Sequence, residues 1–139
     1  MASLIELIQP LEQEGILVKR SRENLEMDIS FFTVIERDGM IIGCAALFPF
    51  IKEKMGELSC FAIHPDYQNN GRGDTLYKSI QQHAKQLGLK SLFVLTTRTS
   101  QWFKERGFKQ KDIKTLPVKR RSLYNYQRNS KMFVNNDIS

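Results

Sequence analysis

Two glycines stand where an apolar stretch passes into an amphipathic one, and this arrangement suits the binding of a phosphate group. Gly71 and Gly73 follow the apolar residues 56–63 and open the helical pattern of residues 71–87. The first backbone N–H groups of a helix have no partner within it and lie at the positive end of its dipole, so they attract an anion. Glycine lets the backbone approach that anion closely. We therefore predict a phosphate or pyrophosphate site at this junction.

The residues around the glycine pair narrow the kind of phosphate site. A G-x-G pair alone is a weak signal, because about one is expected by chance in a chain of this length. The dinucleotide motif G-x-G-x-x-G and the P-loop G-x-x-x-x-G-K-[ST] are both absent from the sequence. The run Gln68-Asn69-Asn70-Gly71-Arg72-Gly73 instead resembles the Q/R-x-x-G-x-G/A signature of the GCN5-related N-acetyltransferases, or GNATs.

This resemblance implies acetyl-coenzyme A as the co-substrate. The loop and the helix start would hold the pyrophosphate, and the preceding strand would pair its free backbone groups with the pantetheine amides, like an added strand. A backbone N–H near residues 59–61 would polarise the thioester carbonyl. The coenzyme-binding residues implied in this way are Phe61, Ala62, Ile63, Gln68, Asn69, Asn70, Gly71, Arg72, Gly73 and Asp74.

The composition describes one globular domain over residues 1–139, with 41% hydrophobic residues. No apolar run approaches the roughly 20 residues that a membrane span needs. We therefore expect a cytoplasmic protein without a membrane partner. Cys44 and Cys60 lie in apolar runs that lack the spacing of a metal site, so we predict buried, reduced thiols and no metal.

The net charge of +6 is concentrated between Lys104 and Lys131. Such a basic region is compatible with nucleic acid, with a solvated face, or with a site for an anionic cofactor and an acidic substrate. No RNA-binding signature accompanies it. We therefore predict that nucleic acid is not a partner.

Local patterns predict the order helices, hairpin, strand, helix, strand, helix, strand. Apolar residues at helical spacing predict a first helix, which Pro10 should kink or divide, and Ser21 predicts the N-cap of a second. Asp38-Gly39 predicts a hairpin whose second strand ends at Pro49. Further strands are predicted over residues 56–63, 91–97 and 123–134, helices over 71–87 and 100–106, and a charged loop over 111–121.

This order is similar to that of the GNAT fold, which is an α/β fold with a mixed, mainly antiparallel sheet flanked by helices. The family normally opens with a strand before the first helix. The present sequence begins with a helical pattern, so we expect the first edge strand to be missing.

Three further stretches resemble one branch of the family. Residues 8–23, 95–108 and 123–131 are closely similar to the C-terminal acetyltransferase domain of bacterial N-acetylglutamate synthases. This resemblance covers nearly the whole chain and implies a domain excised from a longer protein with an N-terminal amino-acid-kinase-like domain that binds arginine. The implied reaction, a step of arginine biosynthesis, is direct acetyl transfer from acetyl-coenzyme A to the α-amine of L-glutamate in a ternary complex.

The same resemblance assigns roles around the reacting atoms. An amine attacks only when unprotonated, so a base beside it helps at neutral pH. Glu57 occupies the position of the family's general base, and Thr96 that of a small hydroxyl near the reacting sulfur; the general acid stays unassigned. Arginine suits bidentate carboxylate recognition. The residues implied around glutamate are Arg20, Cys60, Arg128 and Ser130, although the apolar run around Cys60 by itself indicates a core thiol.

Two other functions remain open at this stage. A GNAT that acetylates a different amine, such as a protein N-terminus or an antibiotic, would not need two arginines aimed at a small pocket. A non-catalytic coenzyme-sensing module would be favoured by loss of the base, but Glu57 is present. The sequence also leaves open whether the protein forms a homo-oligomer.

Overall fold

The computed structural model describes residues 2–14, 17, 20–68, 71–96, 100–122, 124 and 129–138 of the chain. The helices in this part are α1 (Ala2–Gln13), α2 (Arg22–Asp28), α3 (Arg72–Gln86), α4 (Ser100–Lys104) and α5 (Val118–Arg121). The strands are β1 (Phe32–Arg37), β2 (Met40–Phe50), β3 (Met55–Ile63), β4 (Ser91–Thr96), β5 (Lys109–Lys111) and β6 (Lys131–Asn135). Short 3₁₀ turns cover Ile29–Phe31, Pro65–Tyr67 and Ile113–Thr115.

The six strands form one open, mixed sheet in the order β1-β2-β3-β4-β6-β5. Neighbouring strands are antiparallel except β3 and β4, which run parallel. A parallel pair needs a crossover connection, and α3 supplies it. The predicted α/β fold with a mixed, mainly antiparallel sheet flanked by helices is confirmed.

The β1–β2 hairpin is confirmed as well. Asp38 and Gly39 both take positive φ angles, of 52° and 78°, as the tightest hairpin turns require. The prediction that Pro49 ends the second strand is wrong, because β2 continues to Phe50. The β1 ladder ends at Ala46, so beyond it β2 pairs with β3 alone, and an edge of this kind tolerates a proline's missing N–H.

The first two helices pack against one face of the sheet. α1 runs through Pro10 without being divided. Its apolar side joins α2 and the strands in a buried cluster of Leu4, Leu7, Ile8, Leu25, Cys44, Cys60 and Ala62. Ser21 caps α2 as predicted, since its hydroxyl accepts a hydrogen bond from the Asn24 N–H at 3.1 Å.

The crossover helix α3 packs on the sheet through Leu76, Ile80 and Ala84, which are buried. The helix was predicted over residues 71–87 but ends at Gln86, and Leu87 is 39% exposed. This face holds the largest core cluster, which includes Leu58, Leu92, Val94, Phe103 and Phe133.

The C-terminal part departs most from the sequence-based expectation. The final strand was predicted over residues 123–134, but in the described residues it spans only Lys131–Asn135, preceded by Asn129 at a φ of 51°. The predicted charged loop over 111–121 contains a 3₁₀ turn and α5, and its Leu116 and Pro117 are buried. Leu116 joins a third cluster with Phe93, Tyr124, Met132 and Val134, so burial organises this segment despite its charge.

Among the residues that the structure describes, no helix has the length and apolar character needed to cross a membrane.

Candidate active site

The two parallel strands separate in the middle of the sheet, and a cavity opens there. β3 and β4 pair only as far as Glu57 and Phe93, although both strands continue. The cavity has a volume of about 590 Å³ and is bounded by both strands, the start of α3, and α4. It brings together ten of the residues predicted for the site, namely Arg20, Cys60, Phe61, Ala62, Ile63, Gln68, Gly71, Gly73, Asp74 and Thr96.

The start of α3 forms one side of the cavity and has the features of an anion site. Gly71 is the N-cap of the helix, with a φ of 71°, and its carbonyl accepts bonds from the Thr75 N–H and hydroxyl at 3.1 Å each. Gly73 faces Trp102 so closely that a Cβ would lie 3.2 Å from the ring carbon Cζ2. The N–H groups of this first turn are therefore approachable, and the cradle fits a pyrophosphate.

An ion pair ties α3 to the end of α4 beside this cradle. The Arg106 guanidinium donates to both carboxylate oxygens of Asp74, at 2.6 and 3.0 Å, and to the Trp102 carbonyl at 2.8 Å. It also lies 3.5 Å above the Trp102 ring. The hydrogen bonds from Arg106 hold the pKa of Asp74 below its usual value. This wall of the cavity is thus fixed by a neutralised pair.

A bulge in β3 forms the floor of the cavity. The register between β2 and β3 shifts at Ala45, which stands opposite both Cys60 and Phe61. Cys60 takes a φ of 53°, in the left-handed region that few residues other than glycine occupy. A bulge leaves backbone groups outside the ladder. The bulge therefore interrupts the regular pairing at the point where the strands separate, and its residues line the cavity.

The two cysteines lie behind and beside this bulge as buried free thiols, as predicted. The Cys44 thiol donates to the Cys60 carbonyl at 3.2 Å. The neighbouring Cys44 thiol, assisted by the charge of Arg20, lowers the pKa of Cys60 against the opposing effect of burial. The neighbouring Cys60 thiol and burial raise the pKa of Cys44. Cys60, which lines the cavity, is therefore the thiol that ionises first.

Arg20 reaches the cavity from the α1 side of the sheet. One guanidinium nitrogen, Nη2, donates to the Ser59 hydroxyl at 2.7 Å. The backbone N–H of Arg20 donates to the Glu12 carboxylate at 2.7 Å, and this bond holds Arg20 against α1. A guanidinium has five N–H donors, so further donors remain for a carboxylate in the cavity.

Glu57 and Thr96 flank the point where the strands separate. Glu57 is 7% exposed, and its Oε1 accepts a bond from Arg120 Nε at 2.6 Å. Thr96, 8% exposed, lines the cavity at the end of β4. A buried carboxylate and a hydroxyl thus lie on the two strands between which the ligand would pass.

Some predicted residues lie elsewhere. Arg72 donates to the Tyr67 carbonyl at 3.3 Å and stacks on the Tyr67 ring, 5.0 Å from its centroid. Ser130 is buried at the start of β6, where its carbonyl accepts a bond from the Tyr124 hydroxyl. Three further predicted residues, Asn69, Asn70 and Arg128, lie outside the described residues.

The sequence interpretation missed two arginines at the site. Arg106 follows Trp102 by four positions, and the i, i+4 spacing on one helix face could have indicated the contact between them. Trp102 itself lines the cavity, with its ring centroid 4.9 Å from that of Phe61. Arg120 stands in a run of three basic residues, and nothing local distinguishes it from its neighbours.

No group of three or more His, Cys, Asp or Glu side chains that could hold a metal ion occurs within the described part of the chain.

The chain is similar to known proteins along nearly its whole length. The model of the acetyltransferase (GNAT) family matches residues 1–108. A curated relative, the amino-acid acetyltransferase of Pasteurella multocida, is 61% identical over 132 residues, which are 95% of this chain and 30% of that protein. The amino-acid acetyltransferase of Salmonella typhimurium is 54% identical over 134 residues, which are 96% of this chain and 30% of that protein. The chain thus spans about a third of the length of the curated relatives it matches.

The chain is also similar to solved structures over nearly its whole length. N-acetylglutamate synthase from Neisseria gonorrhoeae, complexed with coenzyme A and N-acetyl-glutamate, superposes with a TM-score of 0.92 at 43% identity. The match covers 97% of this chain and 32% of that one. The same Neisseria enzyme complexed with coenzyme A and L-arginine gives a TM-score of 0.85 at 41% identity, and the match covers 98% of this chain and 30% of that one.

Proposed function

Since this chain belongs to the acetyltransferase (GNAT) family, we propose that it transfers an acetyl group from acetyl-coenzyme A to the α-amine of L-glutamate. The products would be N-acetyl-L-glutamate and coenzyme A. Relatives named amino-acid acetyltransferase, and a structure of N-acetylglutamate synthase with coenzyme A and N-acetyl-glutamate, support this choice. The observation that carries it is the opening between β3 and β4, whose cavity is lined by the start of α3 and by Arg20, while Glu57 lies at the last β3–β4 pair, outside the cavity lining.

The coenzyme would enter from the α3 side. Its pyrophosphate would meet the N–H groups that follow Gly71, while its pantetheine arm would pair with the backbone of β3 beyond Glu57, where β4 has left the ladder. The bulge at Cys60 and Phe61 offers a backbone N–H for the thioester oxygen. The coenzyme supplies the activated acetyl group, and the chain supplies its orientation.

Glutamate would lie on the α1 side of the opening. The guanidinium of Arg20 has donors available for a carboxylate there and is already held by Ser59 and the α1 segment. Similarity to the N-acetylglutamate synthases adds Arg128 to this half of the site, whereas Ser130, which the same similarity implied, does not line the cavity. Glutamate carries two carboxylates, and each of the two arginines would bind one of them.

Glu57 would act as the general base. It takes one proton from the α-ammonium group and passes it to solvent, and the free amine attacks the thioester carbon to form the C–N bond. As the C–S bond breaks, the nitrogen gives up a second proton, through water, to the departing coenzyme thiolate. Thr96, which lines the cavity on β4, would lie near that sulfur. No covalent enzyme intermediate is needed, because both substrates occupy the same opening.

The test is thiol release from acetyl-coenzyme A with a panel of free amino acids and larger amines. We expect turnover selective for glutamate. Turnover with a bulky amine alone would indicate a different acetyltransferase, and coenzyme binding without turnover would indicate a sensing module.

The role of Glu57 is tested by Glu57→Gln, with Glu53→Gln as a matched control, since Glu53 is exposed in the turn before β3. We expect Glu57→Gln to lower kcat by about 100- to 10,000-fold at neutral pH. The loss should shrink at higher pH, where the amine loses its proton to water. An unchanged kcat would remove Glu57 as the base.

A further inference from the structure

Arg120 and Glu57 form the ion pair with the least exposed carboxylate among the described residues. The Nε–Oε1 distance is 2.6 Å, and the Glu57 side chain is only 9% exposed. The carboxylates of the other ion pairs in this part of the chain are at least half exposed. The contact joins residues 63 positions apart, so the tertiary fold places it.

The placement of Arg120 comes from apolar packing. Leu116 and Pro117 are buried immediately before α5 and anchor it against the sheet. Within the helix, Lys119 is exposed, and Arg121 is exposed with its guanidinium bonded to the Lys114 carbonyl at 3.0 Å. One of three consecutive basic residues is therefore turned inward, and it meets the carboxylate of β3.

The surroundings of Glu57 explain why a cation is needed there. In the sheet its neighbours on either side are Phe48 and Phe93, and Phe93 is fully buried. An ionised carboxylate in such a setting is costly unless it is paired and hydrogen-bonded. Arg120 supplies both the charge and the bond, and it does so through Oε1.

We propose that Arg120 is a positioning residue for Glu57, holding the carboxylate through Oε1 where β3 and β4 separate and so acting on turnover through Glu57. The inference rests on the proposed role of Glu57 as general base. It assigns Arg120 to the base, whereas Arg20 is assigned to the substrate. A misplacement of about 1 Å in a reacting group can cost about 100-fold in rate, so the expected effect is on kcat.

A double-mutant cycle tests the proposal. Arg120→Gln, Glu57→Gln and the double variant are compared for kcat and for KM toward glutamate and acetyl-coenzyme A. Lys119→Gln serves as the matched control, because it removes the adjacent positive charge without touching Glu57. Thermal unfolding of every variant is followed in parallel, and Arg120→Lys retains the positive charge should Arg120→Gln fail to fold.

We expect Arg120→Gln to lower kcat about 10- to 100-fold, with the KM for glutamate changed less than about 3-fold. Arg120→Lys should recover part of the loss, and Lys119→Gln should match the unmodified protein. In the Glu57→Gln background, measured at raised pH where residual turnover is greatest, Arg120→Gln should have no further effect, because its action passes through the missing carboxylate.

Three outcomes would overturn the proposal. A raised KM for glutamate with kcat unchanged would make Arg120 a substrate ligand. Full, independent losses in the double variant would show that Arg120 does not act through Glu57. A fall in stability alone, with both kinetic constants retained, would reduce the pair to a structural contact. If Glu57→Gln is itself fully active, the proposed base fails, and that result is separate from any effect of Arg120.

Discussion

Replacing Gly71 with alanine should impose a strain whose size follows from the backbone alone. Gly71 has a φ of 71°, and a Cβ placed on it would meet no atom within 4 Å. The cost is therefore conformational and not a clash. An L-residue in the left-handed region costs about 1–2 kcal/mol. The two bonds from Thr75 to the Gly71 carbonyl hold the residue in place, so the strain is not easily relieved.

This strain must lower either the free energy of unfolding or the affinity for coenzyme A. If the loop keeps its conformation in Gly71→Ala, the free energy of unfolding falls by about 1–2 kcal/mol and the coenzyme affinity is unchanged. If the loop relaxes instead, it must be restored on binding, and the Kd for coenzyme A rises about 5- to 30-fold. The two changes, expressed as free energies, should sum to the same value of about 1–2 kcal/mol.

Gly39 provides the matched control for this experiment. It too has a positive φ, of 78°, and a Cβ added to it would meet no atom within 4 Å, but it lies in the β1–β2 turn away from the cavity. Gly39→Ala should lower stability by a similar amount and leave the Kd unaltered. Gly71→Asn should recover much of the loss, because asparagine enters the left-handed region more readily.

Urea denaturation measures the stability, and the fluorescence of Trp102 reports the binding. Trp102 is the chain's single tryptophan and lines the cavity, so its emission should respond to coenzyme A. The reasoning is refuted if Gly71→Ala changes neither quantity, or if Gly39→Ala weakens coenzyme binding as much as Gly71→Ala does.

Two further predictions concern the cavity walls. Gly73→Ala would put a methyl group 3.2 Å from Trp102 Cζ2, so we expect a shifted Trp102 emission and a Kd for coenzyme A raised about 2- to 10-fold. Trp102→Phe should suppress the rise in Kd, which is then measured by titration calorimetry because this variant has no tryptophan; an unchanged emission and Kd in Gly73→Ala would contradict the contact. Because the Cys44 thiol lowers the pKa of Cys60, iodoacetamide should alkylate Cys60 at a lower pH than an ordinary cysteine, and Cys44→Ala should move that midpoint upward. Mass spectrometry identifies the modified thiol, and coenzyme A should protect it. If Cys44→Ala leaves the pH midpoint of alkylation unchanged, the effect of Cys44 on Cys60 is contradicted.

Signals confined to a few neighbouring residues were read correctly from the sequence. Asp38-Gly39 specifies its hairpin because both residues tolerate positive φ, and Ser21 caps α2 because its hydroxyl reaches the Asn24 N–H. The glycine loop before α3 is also a local feature: Gly71 is the N-cap of α3 at a φ of 71°, whereas its role in holding a pyrophosphate stays a prediction. Such features depend on residues that are close together in the sequence and not on contacts between distant parts of the chain.

The predictions that were wrong concern residues whose conformation is determined by tertiary packing. Pro49 looked like the end of β2, but its position at an edge lets the strand continue. Residues 111–121 were predicted to be a charged loop, because sequence pattern does not show that Leu116 and Pro117 would be buried against β6 and β4. Arg120 was missed for the same reason, since the orientation of α5 is set by that burial and not by its own residues.

The location of Glu57 in the sheet suits the two roles proposed for β3, a fixed base and an open channel for the coenzyme. Glu57 is the last residue of β3 that has a partner on both sides, Phe48 in β2 and Phe93 in β4. The next residues keep β2 and lose β4, and the bulge at Cys60 follows within this stretch. The two ladders thus hold the backbone of Glu57, and Arg120 holds its carboxylate. Just beyond Glu57 the backbone of β3 no longer pairs with β4, which leaves that side of the strand for the proposed coenzyme. Moving the base one position further along β3 would place it on the other face of the sheet, away from Arg120.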